Sequence, residues 1–179
     1  MDLLILYGST EGHTEKIARF LAGEAVKHHI RPTLSDVATA PSLRSYDAVI
    51  IAASIHAGQY KNEIVDFVAA HSDDLNKIPT VFYSVGLSIV SGDKKVVAQL
   101  HEMTALFLEM MKWRPIVVEQ IGGALQYSKY GFFKKLLIRS IMKKAGGDTD
   151  TSRDYEYTDW EALKLSFENF VGKLEGELV

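Results

Sequence analysis

An apolar run near the N-terminus, followed at once by a loop of small and hydroxyl-bearing residues, constrains the fold more than any other stretch. Residues 3–7 form a run too short for a helix, and Gly8 follows it, which predicts a buried parallel strand. After Thr14 the apolar residues recur at helical spacing, so we expect the order strand, tight turn, helix. The predicted inward face of this helix consists of Ile17, Phe20, Leu21 and Ala25.

The turn between this strand and helix has the composition of a phosphate site. Free N–H groups at a helix start attract anions, and short hydroxyl side chains complete the oxygen shell. The turn has no Lys before a Ser or Thr, as a triphosphate loop would, and it lacks the three spaced glycines of a dinucleotide loop. A small loop without a cation suits one terminal phosphate, as in FMN, and an ordinary capped helix is the alternative. The predicted phosphate contacts are Ser9, Thr10, Glu11, Gly12, His13 and Thr14.

The rest of the chain alternates strands with helices. Apolar or alternating runs at 33–37, 46–53, 80–86 and 116–121 predict four more strands, and helices are expected from about residue 62, over 94–111 and after Thr158. Thr158 is the predicted N-cap of the last helix, with Glu161 completing a capping box. The pattern predicts one domain over residues 1–179, a doubly wound α/β fold. Its five-stranded parallel sheet has the order 2-1-3-4-5, with helices on both faces.

Two further loops should lie beside the first, because ligands of such sheets bind beyond the carboxyl ends of the strands. Small residues permit close backbone approach, and planar side chains can stack on or hydrogen-bond to a flat ring. A glycine turn with a surface aromatic is the alternative. The predicted ring contacts are Ser54, Ile55, His56, Ala57, Gly58 and Tyr60 after the third strand and Val85, Gly86 and Leu87 after the fourth.

Composition narrows the function classes. The chain has no Cys, which excludes disulfides, thiolate metal sites and iron–sulfur clusters. A net charge of −3 argues against general nucleic-acid binding. We expect no signal peptide, because no basic region precedes an apolar stretch at the N-terminus, and no spanning helix, because no apolar run reaches the roughly 20 residues that a bilayer requires. No metal is expected either.

A long segment before the last helix, about residues 125–151, is expected to carry function. Between residues 129 and 144 it has six basic and no acidic residues, and Gly146 and Gly147 should end its helix. One predicted stripe holds Lys135, Arg139 and Lys143, and another holds Phe133, Leu137 and Ile141. A basic amphipathic helix of this kind is typical of a membrane-surface element or of a dock for an acidic partner. The alternative is a helix whose apolar face covers the sheet edge.

Residues 7–15 resemble the phosphate loop of flavodoxin-like proteins, although Glu11 stands where that family usually has Thr. Its carboxylate must therefore point away from a phosphate. A closer resemblance extends over nearly the whole chain, to the menaquinone-dependent protoporphyrinogen IX dehydrogenases. Its motifs lie at residues 53–60, 82–85, 113–115, 123–130, 141–144, 146–151 and 157–161.

That resemblance implies bound FMN, oxidation of protoporphyrinogen IX to protoporphyrin IX in haem synthesis, and electron transfer to menaquinone or another quinone. It also implies a cytoplasmic protein held peripherally on the inner face of the cell membrane. His56 is the candidate for proton transfer, because imidazole titrates near neutral pH. The candidate contacts to substrate propionates or lipid phosphates are Lys129, Lys134, Lys135, Arg139 and Lys143. A flavodoxin-type electron carrier and an FMN-dependent NAD(P)H:quinone reductase remain alternatives.

Overall fold

The strands of the central sheet are β1 (Asp2–Gly8), β2 (Arg31–Asp36), β3 (Ala48–His56), β4 (Gln59–Tyr60), β5 (Thr80–Gly86) and β6 (Val117–Gly122). Five of them are parallel and lie in the order β2-β1-β3-β5-β6. The sixth strand, β4, is only a two-residue antiparallel addition to β3. Because β5 and β6 are therefore the fourth and fifth parallel strands along the chain, the predicted order 2-1-3-4-5 is confirmed. The computed structural model describes residues 1–144 and 146–177, with the side chains of residues 134, 141, 144 and 177 outside that description.

Helices cover both faces of the sheet, as predicted. Strand β1 is apolar throughout because alternate side chains enter opposite cores: Leu3 and Ile5 lie in one, and Leu4 and Leu6 in the other. The first core is closed by α1 (His13–Lys27) and α5 (Trp160–Glu177). The second is closed by α2 (Asn62–Leu75) and α3 (Lys94–Met111).

The segment before α5 folds into a small unit of its own, which we call the insert (residues 124–156). It contains β7 (Ala124–Leu125), a 3-10 turn (Tyr127–Lys129), α4 (Phe132–Lys144) and β8 (Tyr155–Glu156), and β7 and β8 pair antiparallel. The insert therefore closes at residue 156, five residues beyond the predicted 151. Its cluster of buried residues consists of Leu125, Tyr127, Tyr130 and Met142.

The apolar residues of α4 divide between a buried and an exposed face. Met142 is buried and Ile138 packs on the same cluster, whereas Phe133 and Leu137 are 85% and 62% exposed. The predicted stripe member Ile141 has a side chain outside the described residues. No helix in the described part of the chain is long and apolar enough to cross a bilayer.

The cap of α5 also differs from the prediction. Asp159 Oδ1 accepts from the backbone N–H of Ala162 at 2.9 Å, so Asp159 caps the helix and the assignment to Thr158 was wrong. The Thr158 hydroxyl instead donates to the carbonyl oxygen of Gly122 at 2.6 Å, which joins the start of α5 to the end of β6.

Candidate functional site

The loop between β1 and α1 is shaped for an anion. Gly12 adopts a left-handed conformation with φ 92° and, because it has no side chain, it cannot itself cap the helix that follows it. Ser9 Oγ accepts from the backbone N–H of Gly12 at 2.9 Å, which closes the loop on itself. The first-turn N–H groups have no acceptor within the helix, so they are available to a phosphate. Thr10 is exposed at the tip, whereas Thr14 is buried in the first turn.

The second predicted loop is a β-hairpin. Strands β3 and β4 are joined by a two-residue turn in which Ala57 and Gly58 have φ values of 49° and 75°. Ser54 is buried, and its hydroxyl donates to the carbonyl oxygen of Gly8 at 3.1 Å, which fixes the hairpin beside the phosphate loop. His56 is exposed at the end of β3, and Ile55 is half-buried.

Tyr60 belongs to the core. It is 7% exposed, its ring lies 4.7 Å from that of Phe107, and its hydroxyl donates to Ser84 Oγ at 2.9 Å. Burial raises the pKa of the phenol, so it remains a hydrogen-bond donor. Its ring therefore supports the hairpin from inside, and this differs from the predicted contact with a flavin.

The third loop meets the insert. The backbone N–H of Gly123 donates to the carbonyl oxygen of Gly86 at 3.0 Å, and Leu87 packs on the buried cluster of the insert. Val85 is buried in the sheet just before this loop. The carboxyl ends of β3, β5 and β6 are thus adjacent, as the strand order requires.

Two lysines approach the phosphate loop, although the sequence predicted a loop without a cation. Lys61 Nζ donates to the carbonyl oxygen of Ser9 at 3.1 Å, and Lys129 Nζ donates to that of Glu11 at 2.6 Å. Sequence reasoning missed Lys61 altogether and assigned Lys129 to substrate or membrane. No local pattern could have revealed either contact, because the paired residues are 52 and 118 positions apart.

The side chain of Glu11 is held by the insert. Tyr130 donates its phenolic hydrogen to Glu11 Oε2 at 2.7 Å. Burial, and then the bond to Glu11, raises the pKa of Tyr130 well above its ordinary range. The bond supports the expectation that this carboxylate is occupied elsewhere than at a phosphate.

His13 is buried behind the loop. Because the Thr158 hydroxyl donates to Gly122, the 2.7 Å contact between His13 Nε2 and Thr158 Oγ1 requires the imidazole to donate. Its Nδ1 faces Glu156 Oε2 at 3.7 Å. Burial lowers the pKa of His13, against the opposing effect of Glu156.

The basic residues of α4 do not share the environment of Lys129. Lys135 is half-buried, whereas Arg139 and Lys143 are exposed, and the side chain of Lys134 lies outside the described residues. They accompany exposed apolar residues on the same helix. The exposed members are Phe132, Phe133, Leu136 and Leu137.

Comparisons with known proteins agree with this geometry. Residues 4–152 match the family model of a flavodoxin domain. A flavodoxin from Streptococcus pneumoniae TIGR4 superposes with a TM-score of 0.57 at 15% identity, covering 97% of this chain and 99% of that one. A flavodoxin from the domain Archaea gives 0.56 at 11% identity, covering 98% and 99%. Fold and phosphate loop thus define a flavodoxin-domain protein, and the family match confirms FMN as the expected cofactor.

Two relatives narrow the class. Protoporphyrinogen IX dehydrogenase (quinone) from Escherichia coli strain K12 is 37% identical over 165 residues, 91% of each chain. The protein of that name from Leishmania major is 36% identical over 173 residues, 93% of this chain and 73% of that one. The chain belongs to the protoporphyrinogen IX dehydrogenase (quinone) family, which confirms the expected oxidoreductase class.

Proposed function

We propose that this chain uses FMN to oxidise protoporphyrinogen IX to protoporphyrin IX, in haem synthesis, and passes the electrons to menaquinone. One observation carries the proposal: 37% identity to a protoporphyrinogen IX dehydrogenase (quinone) extends over 91% of both chains. A likeness to flavodoxins alone would support only the fold.

The residues present fit the cofactor. The uncapped first turn of α1 and the bond between Ser9 and Gly12 suit a terminal phosphate. The hairpin over residues 54–58 and the loop at Gly86 and Leu87 would border the ring. When bound, FMN accepts two electrons at a time, so the loss of six electrons from the porphyrinogen requires three cycles.

His56 is the side chain that we propose to move protons. It is exposed at the carboxyl end of β3, beside the turn at Ala57 and Gly58. An imidazole accepts and releases protons near neutral pH, so it can take up a proton lost by the substrate and return it to water.

The insert is the element that we propose to contact the membrane. On α4, Phe132 and Phe133 are 72% and 85% exposed, and Arg139 and Lys143 are exposed on the same helix. Apolar burial and attraction to anionic lipid would add together. The chain would then lie peripherally on the cytoplasmic face of the cell membrane, where a lipid-soluble quinone resides.

Anaerobic porphyrin fluorescence tests the proposal. FMN-loaded protein is mixed with protoporphyrinogen IX, with and without a menaquinone analogue, and porphyrin emission is followed. Growth that depends on both protein and quinone is the expected result, and His56→Gln should slow it while flavin absorbance is unchanged. Flavin-loaded protein that produces no porphyrin, but is reduced by NADPH, would instead indicate a nicotinamide-dependent quinone reductase.

A further inference from the structure

We propose that Lys61 and Lys129 bind the phosphate of the cofactor from outside the phosphate loop, so that the insert itself contributes a cofactor ligand. The inference rests on the proposed FMN function and adds two residues that lie on other segments of the chain. It also moves Lys129 from the substrate and membrane contacts to the cofactor site.

Lys129 is positioned at the start of α1. Its Nζ donates to the carbonyl oxygen of Glu11 at 2.6 Å and lies 3.5 Å from the point where a Cβ on Gly12 would stand. Gly12 immediately precedes α1, and the first N–H groups of this helix carry partial positive charge. An ammonium and a helix N-terminus therefore converge on the same place.

Lys61 approaches the same loop from the other strand connection. It stands immediately before α2, and its Nζ donates to the carbonyl oxygen of Ser9 at 3.1 Å. The two accepting carbonyls belong to residues on either side of Thr10, at the tip of the loop. The lysines thus bracket the exposed tip, where Thr10, one of the predicted hydroxyl ligands, lies.

Both ammonium groups retain bonding capacity. Each donates to a neutral carbonyl, and in the described part of the chain neither forms an ion pair with a carboxylate. An ammonium has three donors, so hydrogens remain for phosphate oxygens. A phosphate monoester carries nearly two negative charges at neutral pH, which two lysines match.

The neighbouring residue holds Lys129 in place. Tyr130 bonds Glu11 Oε2 at 2.7 Å, so two successive residues of the insert bind the side chain and the backbone of one loop residue. Lys129, Arg139 and Lys143 are all exposed, but Arg139 and Lys143 have no such anchor among the described residues. The anchor separates the phosphate ligand from the basic residues that we assign to the membrane.

The test compares FMN with riboflavin, which has the same ring but no phosphate. Apo-protein variants are titrated with each flavin, and quenching of flavin fluorescence gives both dissociation constants. Lys61→Gln and Lys129→Gln should each lower FMN affinity about tenfold, the effect of losing one charge-assisted hydrogen bond, and leave riboflavin affinity unchanged. Lys129→Arg keeps the charge and should keep most of the preference for FMN.

Lys135→Gln is the matched control, since it removes a lysine of the insert that does not reach the phosphate loop. It should leave both affinities at the wild-type values. If the two glutamine variants retain the wild-type ratio of FMN to riboflavin affinity, the inference is overturned while the proposed function stands. A wild-type chain that binds neither flavin overturns both.

Discussion

Tyr130 donates a hydrogen bond of 2.7 Å to Glu11 and thereby fastens the insert to the phosphate loop across 119 positions of sequence. Burial and the carboxylate together raise the pKa of the phenol, so it stays protonated and keeps donating at physiological pH. Glu11, the residue at which this loop departs from the flavodoxin loop that it resembles, is therefore the attachment point of the insert. Glu11 and the insert therefore belong to one connected structural unit.

Tyr130→Phe should loosen the insert. A hydrogen bond to a charged, partly buried acceptor contributes about 1–2 kcal/mol, so the population of the undocked insert should rise about fivefold or more. Limited trypsin digestion after the lysines of α4, followed by mass spectrometry, measures this population directly. Tyr46→Phe is the matched control, because the described residues provide no hydrogen bond to the Tyr46 hydroxyl.

The pair also predicts non-additivity. Once Tyr130→Phe has removed the donor, Glu11→Gln should add less to the digestion rate than it does alone, because the bond between the two side chains is already lost. Fully additive effects of the two substitutions would show that each stabilises the insert separately and that the bond itself contributes little.

Gly12→Ala should destabilise the chain although there is room for the methyl group. The nearest atom to the new Cβ is Lys129 Nζ at 3.5 Å, an ordinary contact, but φ at this position is 92°. A side chain held in that region costs about 1–2 kcal/mol, and the strained loop should also bind FMN more weakly.

Gly23→Ala provides the opposite case within the same helix. Nothing lies within 4 Å of its Cβ position, and the residue is inside α1. Alanine there should stabilise the chain by about 0.5–1 kcal/mol, because it lowers the conformational entropy of the unfolded chain. Thermal unfolding of Gly12→Ala and Gly23→Ala should show a lower unfolding temperature for the first variant and a higher one for the second. Equal shifts in one direction would contradict the conformational argument.

The central strands β1, β3 and β5 could be read from the sequence because they are buried on both faces. Leu3 to Leu6 enter alternate cores, so the strand is a continuous apolar run rather than an alternating one. Strand order then follows from right-handed crossovers. The loop between β1 and α1 was predictable for a different reason. Each of its parts is local in the sequence: a strand end, a glycine and a helix start.

The contacts between distant segments could not be read in this way. Lys61 and Lys129 contact the loop because the fold brings distant segments of the chain together, and no periodicity of the sequence predicts these contacts. Tyr60 illustrates the opposite error: an aromatic beside a glycine turn is compatible with a ligand contact, but its packing against Phe107 is decided by the position of α3. At α5, Thr158 and Asp159 are both good caps, and the bond from Thr158 to Gly122 decides between them.

Charge reversal on α4 should release the chain from membranes if the insert docks there. Lys135, Arg139 and Lys143, all changed to Glu, replace attraction to anionic lipid with repulsion, and each basic residue near such a surface contributes about 1 kcal/mol. Sedimentation with vesicles containing phosphatidylglycerol measures the bound fraction. The control variant changes Lys94, Lys95 and Arg114 to Glu. It applies the same change of charge at other exposed sites and should leave binding largely intact.

The apolar part of the surface is tested separately. Phe132→Ser with Phe133→Ser removes two rings that are 72% and 85% exposed, so little folded-state packing is lost. Binding to uncharged phosphatidylcholine vesicles should fall, because only apolar burial operates there. Unchanged partitioning of both this variant and the charge-reversed one would exclude α4 as the membrane contact.

His13 should make stability fall on mild acidification. Burial lowers its pKa below the ordinary value of 6.5, against the opposing effect of Glu156, while Lys16 and Lys129 act in the same direction as burial. The unfolded chain therefore takes up the proton first. The contribution of the neutral imidazole to stability is complete above about pH 6.5 and is lost progressively as pH falls below it.

His13→Gln removes the titrating group and retains an N–H that can donate to Thr158 in place of the ring. Urea unfolding at a series of pH values from about 7.5 to 5 should give a flatter profile for this variant than for the wild type. Burial alone would raise the pKa of Glu156, but hydrogen bonds from Lys16 and Trp160 outweigh burial and hold that pKa below the ordinary value of 4.5. Glu156 therefore does not contribute to the pH profile between about 7.5 and 5. A wild-type slope in His13→Gln would mean that the imidazole of His13 titrates alike in the folded and unfolded chains.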